Sequence, residues 1–210
     1  MTKEPLLKSP LLWFALILVA IIAFTAVGPA EKTLGANVRV VYLHGAWVWA
    51  ALISFFAAGL IGAFGLVTRR QVYHCWSRAL GRTGLIFWIT YLPISMWAMQ
   101  TNWNGLFLAE PRWRLAVVFA IGGLLMQVGI TWMEDPLWAS VANLAYVLAL
   151  ILALGVAENV MHPPAPILNS DAARIQLFFI ILLTLTLLGA CQVARWLYQL
   201  ECPRVKPASS

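Results

Sequence analysis

Long apolar runs alternate with short polar stretches along the whole chain. Each run holds about 18 to 24 residues, which is the length that an α-helix needs to cross the hydrocarbon core of a bilayer. Within that core, only helices and closed barrels satisfy all of their backbone hydrogen bonds. The pattern therefore predicts an all-α, polytopic membrane protein with six transmembrane helices in one domain over residues 1–210. The runs lie at about 11–28, 45–68, 84–101, 115–133, 138–157 and 175–197, with a mobile tail over 201–210.

The composition supports a membrane location. Of the 210 residues, 62% are hydrophobic and only 10% are charged, whereas about a quarter of residues are charged in soluble domains. The net charge of +6 needs no nucleic acid to explain it, because cytoplasmic loops of membrane proteins are enriched in Lys and Arg. We find no basic stripe interleaved with aromatic residues of the kind that binds single strands. Membrane lipid is the partner that the composition predicts.

The Lys and Arg residues near the ends of the runs predict the orientation. Six spans place both termini on one side, and that side carries nine of these cations against five on the other. We therefore expect both termini in the cytoplasm and a multi-pass protein of a bacterial-type inner (plasma) membrane. The first run follows Lys3 and Lys8 and is interpreted as an uncleaved signal anchor. The loops that then face outward are 29–44, 102–114 and 158–174.

Small and polar residues inside the runs predict how the helices pack. Asn143 and Gln127 are expected to form hydrogen bonds between helices, and Pro93 is expected to kink the third helix. Three glycines at intervals of three residues should let a neighbouring helix approach the second one closely: Gly59, Gly62 and Gly65.

Motifs of catalysis are missing from the sequence. It contains no HExxH zinc pair, no GxSxG elbow and no GxxxxGK[ST] phosphate loop, so we predict that the protein is not an enzyme. The three cysteines, Cys75, Cys191 and Cys202, show no CxxC, no CxxCH haem-attachment signature and no zinc-ligand spacing. We expect all three to be free thiols.

Two histidines at the outward ends of apolar runs carry the functional hypothesis. Haem iron takes neutral imidazoles as axial ligands, and we predict that His44 and His162 hold a non-covalent haem b in this way. His44 is expected to begin the second helix, whose N-terminus would keep the imidazole neutral. Glu158 lies four residues before His162 and would accept its other ring N–H. His74 is the only histidine predicted on the inner side.

Aromatic and basic residues on the same side complete the predicted site. The haem ring needs flat walls, for which Trp47, Trp103 and Phe107 are candidates, and its propionates need arginines. Each type also has an ordinary role at a membrane surface, since tryptophan forms interfacial belts and arginine meets lipid headgroups. A single interfacial histidine is also commonly unliganded. The cations considered for the propionates are Arg39, Arg112, Arg114 and Arg174.

The order Val38-Arg39-Val40-Val41-Tyr42-Leu43-His44, followed by Ala46 and Trp47, resembles the first histidine loop of the CcmC-type haem-handling permeases, the cytochrome c assembly protein family. Those proteins have six spans, an outer tryptophan-rich WWD segment between spans three and four, and a second outer histidine between spans five and six. The corresponding positions here hold Trp97, Trp103-Asn104-Gly105, Glu110-Pro111-Arg112 and His162. The resemblance runs from about Gly35 to Trp196 and adds Glu110 to the expected cofactor-binding residues.

The resemblance implies haem delivery during cytochrome c maturation, as a permease-like subunit beside an ATP-hydrolysing subunit, a small membrane subunit and a periplasmic haem chaperone. The chain departs from the family in its WWD segment, where only Trp103, an acidic residue and Arg112 remain. It also has Gly45 near the place of the family's usual proline. The eroded segment leaves a second hypothesis, in which a related protein became a structural or electron-transfer subunit of a larger respiratory or photosynthetic membrane complex. A small-solute permease is disfavoured because the runs contain too few polar residues to line a path.

Overall fold

The structure is a computed structural model that describes residues 9–133, 135–157, 167 and 171–202. These residues form six α-helices, and apart from a single isolated bridge between Glu31 and Gly35 they contain no strand. The prediction of an all-α protein is confirmed. The helices are α1 (Pro10–Ala26), α2 (Val38–Thr68), α3 (Gln71–Trp103), α4 (Pro111–Trp132), α5 (Pro136–Val156) and α6 (Ala173–Glu201).

Four of the helices, α2, α4, α5 and α6, are long and apolar enough to cross a membrane. The helix α1 is also apolar but has 17 residues. The outward faces of the helices carry many exposed large apolar side chains, such as Val67 of α2 and Val156 of α5. Such apolar surfaces suit contact with lipid rather than water. The chain is therefore a membrane-embedded helical protein.

The helices α2 and α3 make the most extensive contact in the molecule, and α3 also touches α4, α5 and α6. Asn37 Nδ2 donates to the Thr101 carbonyl at 3.1 Å, so the start of α2 meets the end of α3. The helix α1 lies mainly against α6. We call the end of the bundle where α2, α4 and α6 begin the His44 end. The opposite end, where α3 and α5 begin and both described chain ends lie, is the Cys75 end.

The three glycines of α2 allow the close approach that the sequence predicts. A Cβ on Gly59 would come 2.5 Å from Val147 Cγ1 of α5, and one on Gly62 would come 3.1 Å from Ser140 Cα. A Cβ on Gly65 would lie 3.0 Å from the Nδ1 atom of His74. Because no larger residue fits at these contacts, glycine sets the spacing between α2 and its neighbours.

The predicted hydrogen bonds of Asn143 and Gln127 between helices are confirmed. Asn143 Nδ2 donates to the Ser77 carbonyl of α3 at 2.8 Å, and Gln127 Nε2 donates to Asn143 Oδ1 at 3.4 Å. The chain of contacts continues through Arg82, whose Nε donates to Gln127 Oε1 at 3.4 Å. These bonds join α3, α4 and α5 in the half of the bundle nearer the Cys75 end.

The prediction of three free thiols is wrong for two of them. Cys75 and Cys202 form a disulfide with their Cα atoms 6.0 Å apart, whereas Cys191 is a free, exposed cysteine. A separation of 127 residues matches no local motif. The fold alone brings the first turns of α3 to the end of α6.

We expect Gly62→Ala to destabilise the protein by about 1–3 kcal/mol, because the added methyl group would press on the Ser140 backbone, which cannot turn aside as a side chain can. Gly122→Ala is the matched control, since no atom lies within 4 Å of its added Cβ. Alanine is also the better helix former, so this control should be neutral or slightly stabilising. Thermal unfolding in detergent measures both variants, and equal midpoints would contradict the close packing at Gly62.

Candidate functional site

A cavity of about 230 Å³ lies between α2 and α3 at the His44 end and is covered by the start of α4. We call it the His44 cavity. Most of its wall is apolar or aromatic, and its polar or charged side chains include those of His44, Glu110 and Arg112. The wall consists of Val41, His44, Val48 and Leu52 of α2, Trp88, Tyr91, Ser95, Ala98, Met99 and Trp103 of α3, Glu110, Arg112 and Trp113 at the start of α4, and Leu154 of α5.

Helical periodicity explains why these residues share one cavity. The lining positions recur every three or four residues along both α2 and α3, and that spacing places side chains on one face of a helix. The two helices run antiparallel, since Asn37, the N-cap residue of α2, bonds to Thr101 of α3 at 3.1 Å, whereas Trp47, later in α2, bonds to Thr90, earlier in α3, at 2.8 Å. The two faces oppose each other across the cavity. Pro93 lies inside α3 along the same stretch.

His44 lies on the α2 wall, partly buried, with its ring centroid 5.6 Å from that of Tyr91. The expectation that His44 begins the helix is wrong, because α2 starts at Val38 and His44 is its seventh residue. The influence of a helix terminus falls off within the first turn, so it does not set the protonation of this ring.

Glu110 and Arg112 lie together where α4 begins. Glu110 is the N-cap residue of α4, and its carboxylate accepts a hydrogen bond from the Trp113 backbone N–H at 2.7 Å. This cap fixes the first turn and with it the position of Arg112. The Arg112 Nε atom is buried and has no hydrogen-bond partner among the residues that the structure describes. A buried, charged donor without a partner is costly, so the cavity favours a ligand that presents an anionic oxygen.

Trp103, a predicted wall of the haem site, lines the cavity at the end of α3. Four further lining residues of α3 were not predicted as site residues and lie on the same face as Trp103: Trp88, Tyr91, Ser95 and Met99. Counting back from Trp103 in steps of four gives Met99, Ser95 and Tyr91, so the helical spacing would have found them. Met99 adds a soft thioether to the wall.

Trp47, predicted as a wall of the site, is instead packed between α2 and α3. It is 8% exposed, its ring lies 4.8 Å from that of Phe87, and its Nε1 is bonded to Thr90. Through these contacts Trp47 holds α2 and α3 together. It lies one helical turn after His44, beneath the cavity. It does not line the cavity.

Arg39 points to the loop after α1, where its Nε donates to the Gly28 carbonyl at 2.9 Å. In the same loop, the backbone N–H groups of Leu34 and Thr33 bind the carboxylate of Glu31 and hold its pKa below the usual value. Arg39 therefore braces this loop and does not line the cavity.

Phe107, Arg114 and Arg174 are exposed and lie outside the cavity lining. Phe107 belongs to the loop between α3 and α4, and Arg174 lies in the first turn of α6. Their predicted contacts with a cofactor stay predictions, and the structure separates them from Trp103 and Arg112, which line the cavity.

His162 and Glu158 lie outside the residues that the structure describes. Ile167, from the same connection, is described, and its Cδ1 atom lies 3.7 Å from the position that a Cβ on Gly45 would take. Gly45 is the residue after His44.

Within residues 9–133, 135–157, 167 and 171–202, no group of three or more His, Cys, Asp or Glu side chains is placed to hold a metal ion. Haem iron needs only two axial ligands from the protein, so this finding does not bear on the histidine pair. Comparisons with protein-family models, curated proteins and solved structures find no match. The likeness to the CcmC-type permeases therefore rests on the sequence pattern alone.

We expect Glu110→Ala and Asp135→Ala each to cost about 0.5–2 kcal/mol, because each removes a side chain that caps a helix. Asp135 caps α5, where its Oδ1 accepts from the Leu137 N–H at 2.9 Å. Only Glu110→Ala should loosen the first turn of α4. Hydrogen exchange checks this: the amides of Trp113 and Arg114, which bond to the side chain and the carbonyl of Glu110, should exchange faster in Glu110→Ala and stay at wild-type rates in Asp135→Ala. Unchanged protection in Glu110→Ala would show that the cap does not position Arg112.

Proposed function

We propose that the protein binds one haem b, without a covalent bond, at the His44 cavity on the outer face of the membrane. His44 serves as one axial ligand and His162 as the other. One observation carries the proposal: His44 from α2, Trp103 from α3 and Arg112 from α4 line the same cavity. In this proposal His44 binds the iron, Trp103 packs against the flat ring, and Arg112 pairs with a propionate.

The residues present suit the parts of such a ligand. The His44 ring is held in mostly apolar surroundings, and the neutral imidazole is the form that binds iron. Trp103 and the apolar side chains of α2 and α3 offer surfaces for a flat macrocycle. The cavity volume of about 230 Å³ is below the roughly 300–1,000 Å³ of pockets that enclose a drug-sized ligand. We therefore infer that the cavity receives one edge of the ring.

Arg112 supports the same assignment from the electrostatic side. Its Nε is buried without a partner among the described residues, and a propionate would supply the paired, charge-assisted hydrogen bonds that an arginine fork makes with a carboxylate. Glu110 would hold Arg112 in place through the α4 cap and would not itself bind the acid. In this proposal Arg114 and Arg174 stay at the surface.

The position of Ile167 supports His162 as the second ligand, because Ile167 follows His162 by five residues in the sequence and its Cδ1 atom lies 3.7 Å from the position that a Cβ on Gly45 would take. Glu158 would then orient the ring of His162 by accepting its other N–H. With an imidazole on both faces, haem has no open coordination site and suits transport of haem or of electrons. His44, Trp103 and Arg112 accordingly bind and orient, and we assign no residue a catalytic role.

We assign the biological task by the resemblance alone: haem delivery during cytochrome c maturation, beside an ATP-hydrolysing subunit, a small membrane subunit and a periplasmic haem chaperone.

The alternative is a structural or electron-transfer subunit of a larger respiratory or photosynthetic membrane complex. An observation that favours a fixed partner is the run Leu106, Phe107 and Leu108, whose side chains are 47%, 45% and 47% exposed beside the cavity. Purification of the protein with its native partners distinguishes the two hypotheses. Maturation factors among the partners would support haem delivery, and respiratory or photosynthetic subunits would support the alternative.

His44→Ala should abolish the low-spin spectrum of the haem-loaded protein or convert it to a high-spin one, because one axial imidazole is lost. His162→Ala should have the same effect. His74→Ala is the control: His74 is buried at the Cys75 end, where its Nδ1 lies 2.7 Å from Ser140 Oγ, so its loss should lower stability and leave the spectrum unchanged. Equal retention of the low-spin spectrum in all three variants would end the proposal of two histidine ligands.

Arg112→Ala should speed haem dissociation about tenfold or more, since a charge-assisted pair with a partly buried carboxylate is worth about 1.5–3 kcal/mol. The axial-ligand spectrum should not change. Arg114→Ala is the matched control, because Arg114 lies two residues away and is exposed. Transfer of haem to excess apomyoglobin measures the rate, and equal rates for the two variants would count against a propionate at Arg112.

A further inference from the structure

We propose that Cys75 and Cys202 form a reversible redox site that exchanges with a low-molecular-weight thiol–disulfide couple of the glutathione class. The site lies at the Cys75 end, away from the His44 cavity, and does not depend on haem. It depends only on the proposed orientation of the chain, with this end in the cytoplasm.

The fold places the two sulfurs together without help from a local motif. Cys75 is the fifth residue of α3, and Cys202 follows the last residue of α6. Their Cα atoms are 6.0 Å apart, which is an ordinary distance for a disulfide. The bond ties the end of one long helix to the start of another.

The expected compartment makes a permanent bond unfavourable. Both described chain ends lie at the Cys75 end, and the Lys and Arg distribution predicts that this end faces the cytoplasm. Cytosolic thiols are kept reduced, so disulfides found there are usually transient and respond to redox conditions. A disulfide geometry on this side therefore points to a pair that opens and closes.

The charges around the pair favour a reactive thiolate. Arg78 lies one turn after Cys75 on the same face of α3, and its Nε is 3.3 Å from Glu201 Oε2, next to Cys202. Arg82, one turn further, also pairs with Glu201. Two arginines against one carboxylate leave a net positive charge beside Cys75. A nearby cation lowers the pKa of a thiol and stabilises the thiolate that leaves during exchange.

Accessibility defines the order of the exchange. Cys75 is 5% exposed, whereas Cys202 is only partly buried, so a small thiolate meets the Cys202 sulfur. Its attack forms a mixed disulfide with Cys202, breaks the Cys75–Cys202 bond and releases the Cys75 thiolate. A second small thiolate then attacks the small-molecule sulfur of the mixed disulfide and releases the Cys202 thiolate. Two small thiols are thereby oxidised to one disulfide, and the protein gains two electrons.

The ion pairs limit what reduction changes. Arg78 and Arg82 continue to hold Glu201 against α3 after the sulfur bond opens. Reduction therefore frees Cys202 from α3 and leaves the bundle assembled. A change in the redox state at the Cys75 end therefore alters the structure only at the end of α6.

The test uses the full chain with Cys191→Ser, reconstituted in lipid nanodiscs and equilibrated in buffers of reduced and oxidised glutathione. Acid quenching and a maleimide mass tag then count free thiols on a gel. We expect one reversible transition, from two tags to none, within the range of ratios found in the cytosol. A bond that survives the most reducing buffer, or two free thiols in the most oxidising one, would overturn the proposal. Cys75→Ser and Cys202→Ser each remove the intramolecular bond, so neither should show the step from two tags to none; their single thiol can lose its one tag only as a mixed disulfide with glutathione, which adds the mass of glutathione to the chain.

A second measurement tests the role of the cation. In reduced protein, Arg78→Gln should slow alkylation of Cys75 several-fold at neutral pH and move its pH midpoint upward, and Arg78→Lys should restore both. Equal rates and midpoints in all forms would show that Arg78 does not act on the thiol. In intact cells, an impermeant maleimide that labels Cys202 would show the opposite orientation and overturn the proposal. None of these readouts needs haem, so a colourless protein would leave the redox site standing.

Discussion

The close contact of α2 with α3 and α5 is the constraint on which the rest of the structure depends. In a bilayer, apolar side chains gain little by leaving lipid for another helix, so small residues and hydrogen bonds between helices must hold a bundle together. Gly59 and Gly62 supply the close approach, and Asn143 supplies the hydrogen bond to α3. Both features lie in the half of α2 and α3 nearer the Cys75 end.

The other half of the same helix pair is built differently. There the facing positions carry His44, Trp88, Tyr91 and Met99 in place of glycines, and a cavity remains between them. Tight packing at one end holds the helices in register, while larger side chains at the other end keep the walls of the cavity apart. The start of α4, fixed by its Glu110 cap, then closes the space and brings Arg112 to it. The site is thus a consequence of how the bundle is packed.

Periodicity and composition were enough to predict the all-α fold, the close packing at the α2 glycines and the bonds of Asn143 and Gln127. They were not enough to predict which residues distant in sequence contact one another. The Cys75–Cys202 pair has no local signature, and Trp47 has the type and position of a cofactor wall but finds Thr90 and Phe87 in the core. His44 was placed at a helix start because the apolar run was counted from 45, although α2 begins at Val38.

The measurement that tests the central claim most directly is the visible absorption spectrum of the purified protein, oxidised and then reduced, with a pyridine haemochrome assay for stoichiometry. Our account predicts sharp bands of a low-spin haem on reduction and about one non-covalent haem per chain, with two imidazoles as axial ligands. A preparation that is colourless, and stays colourless after haem is added, would contradict it and leave the His44 cavity without the ligand proposed for it.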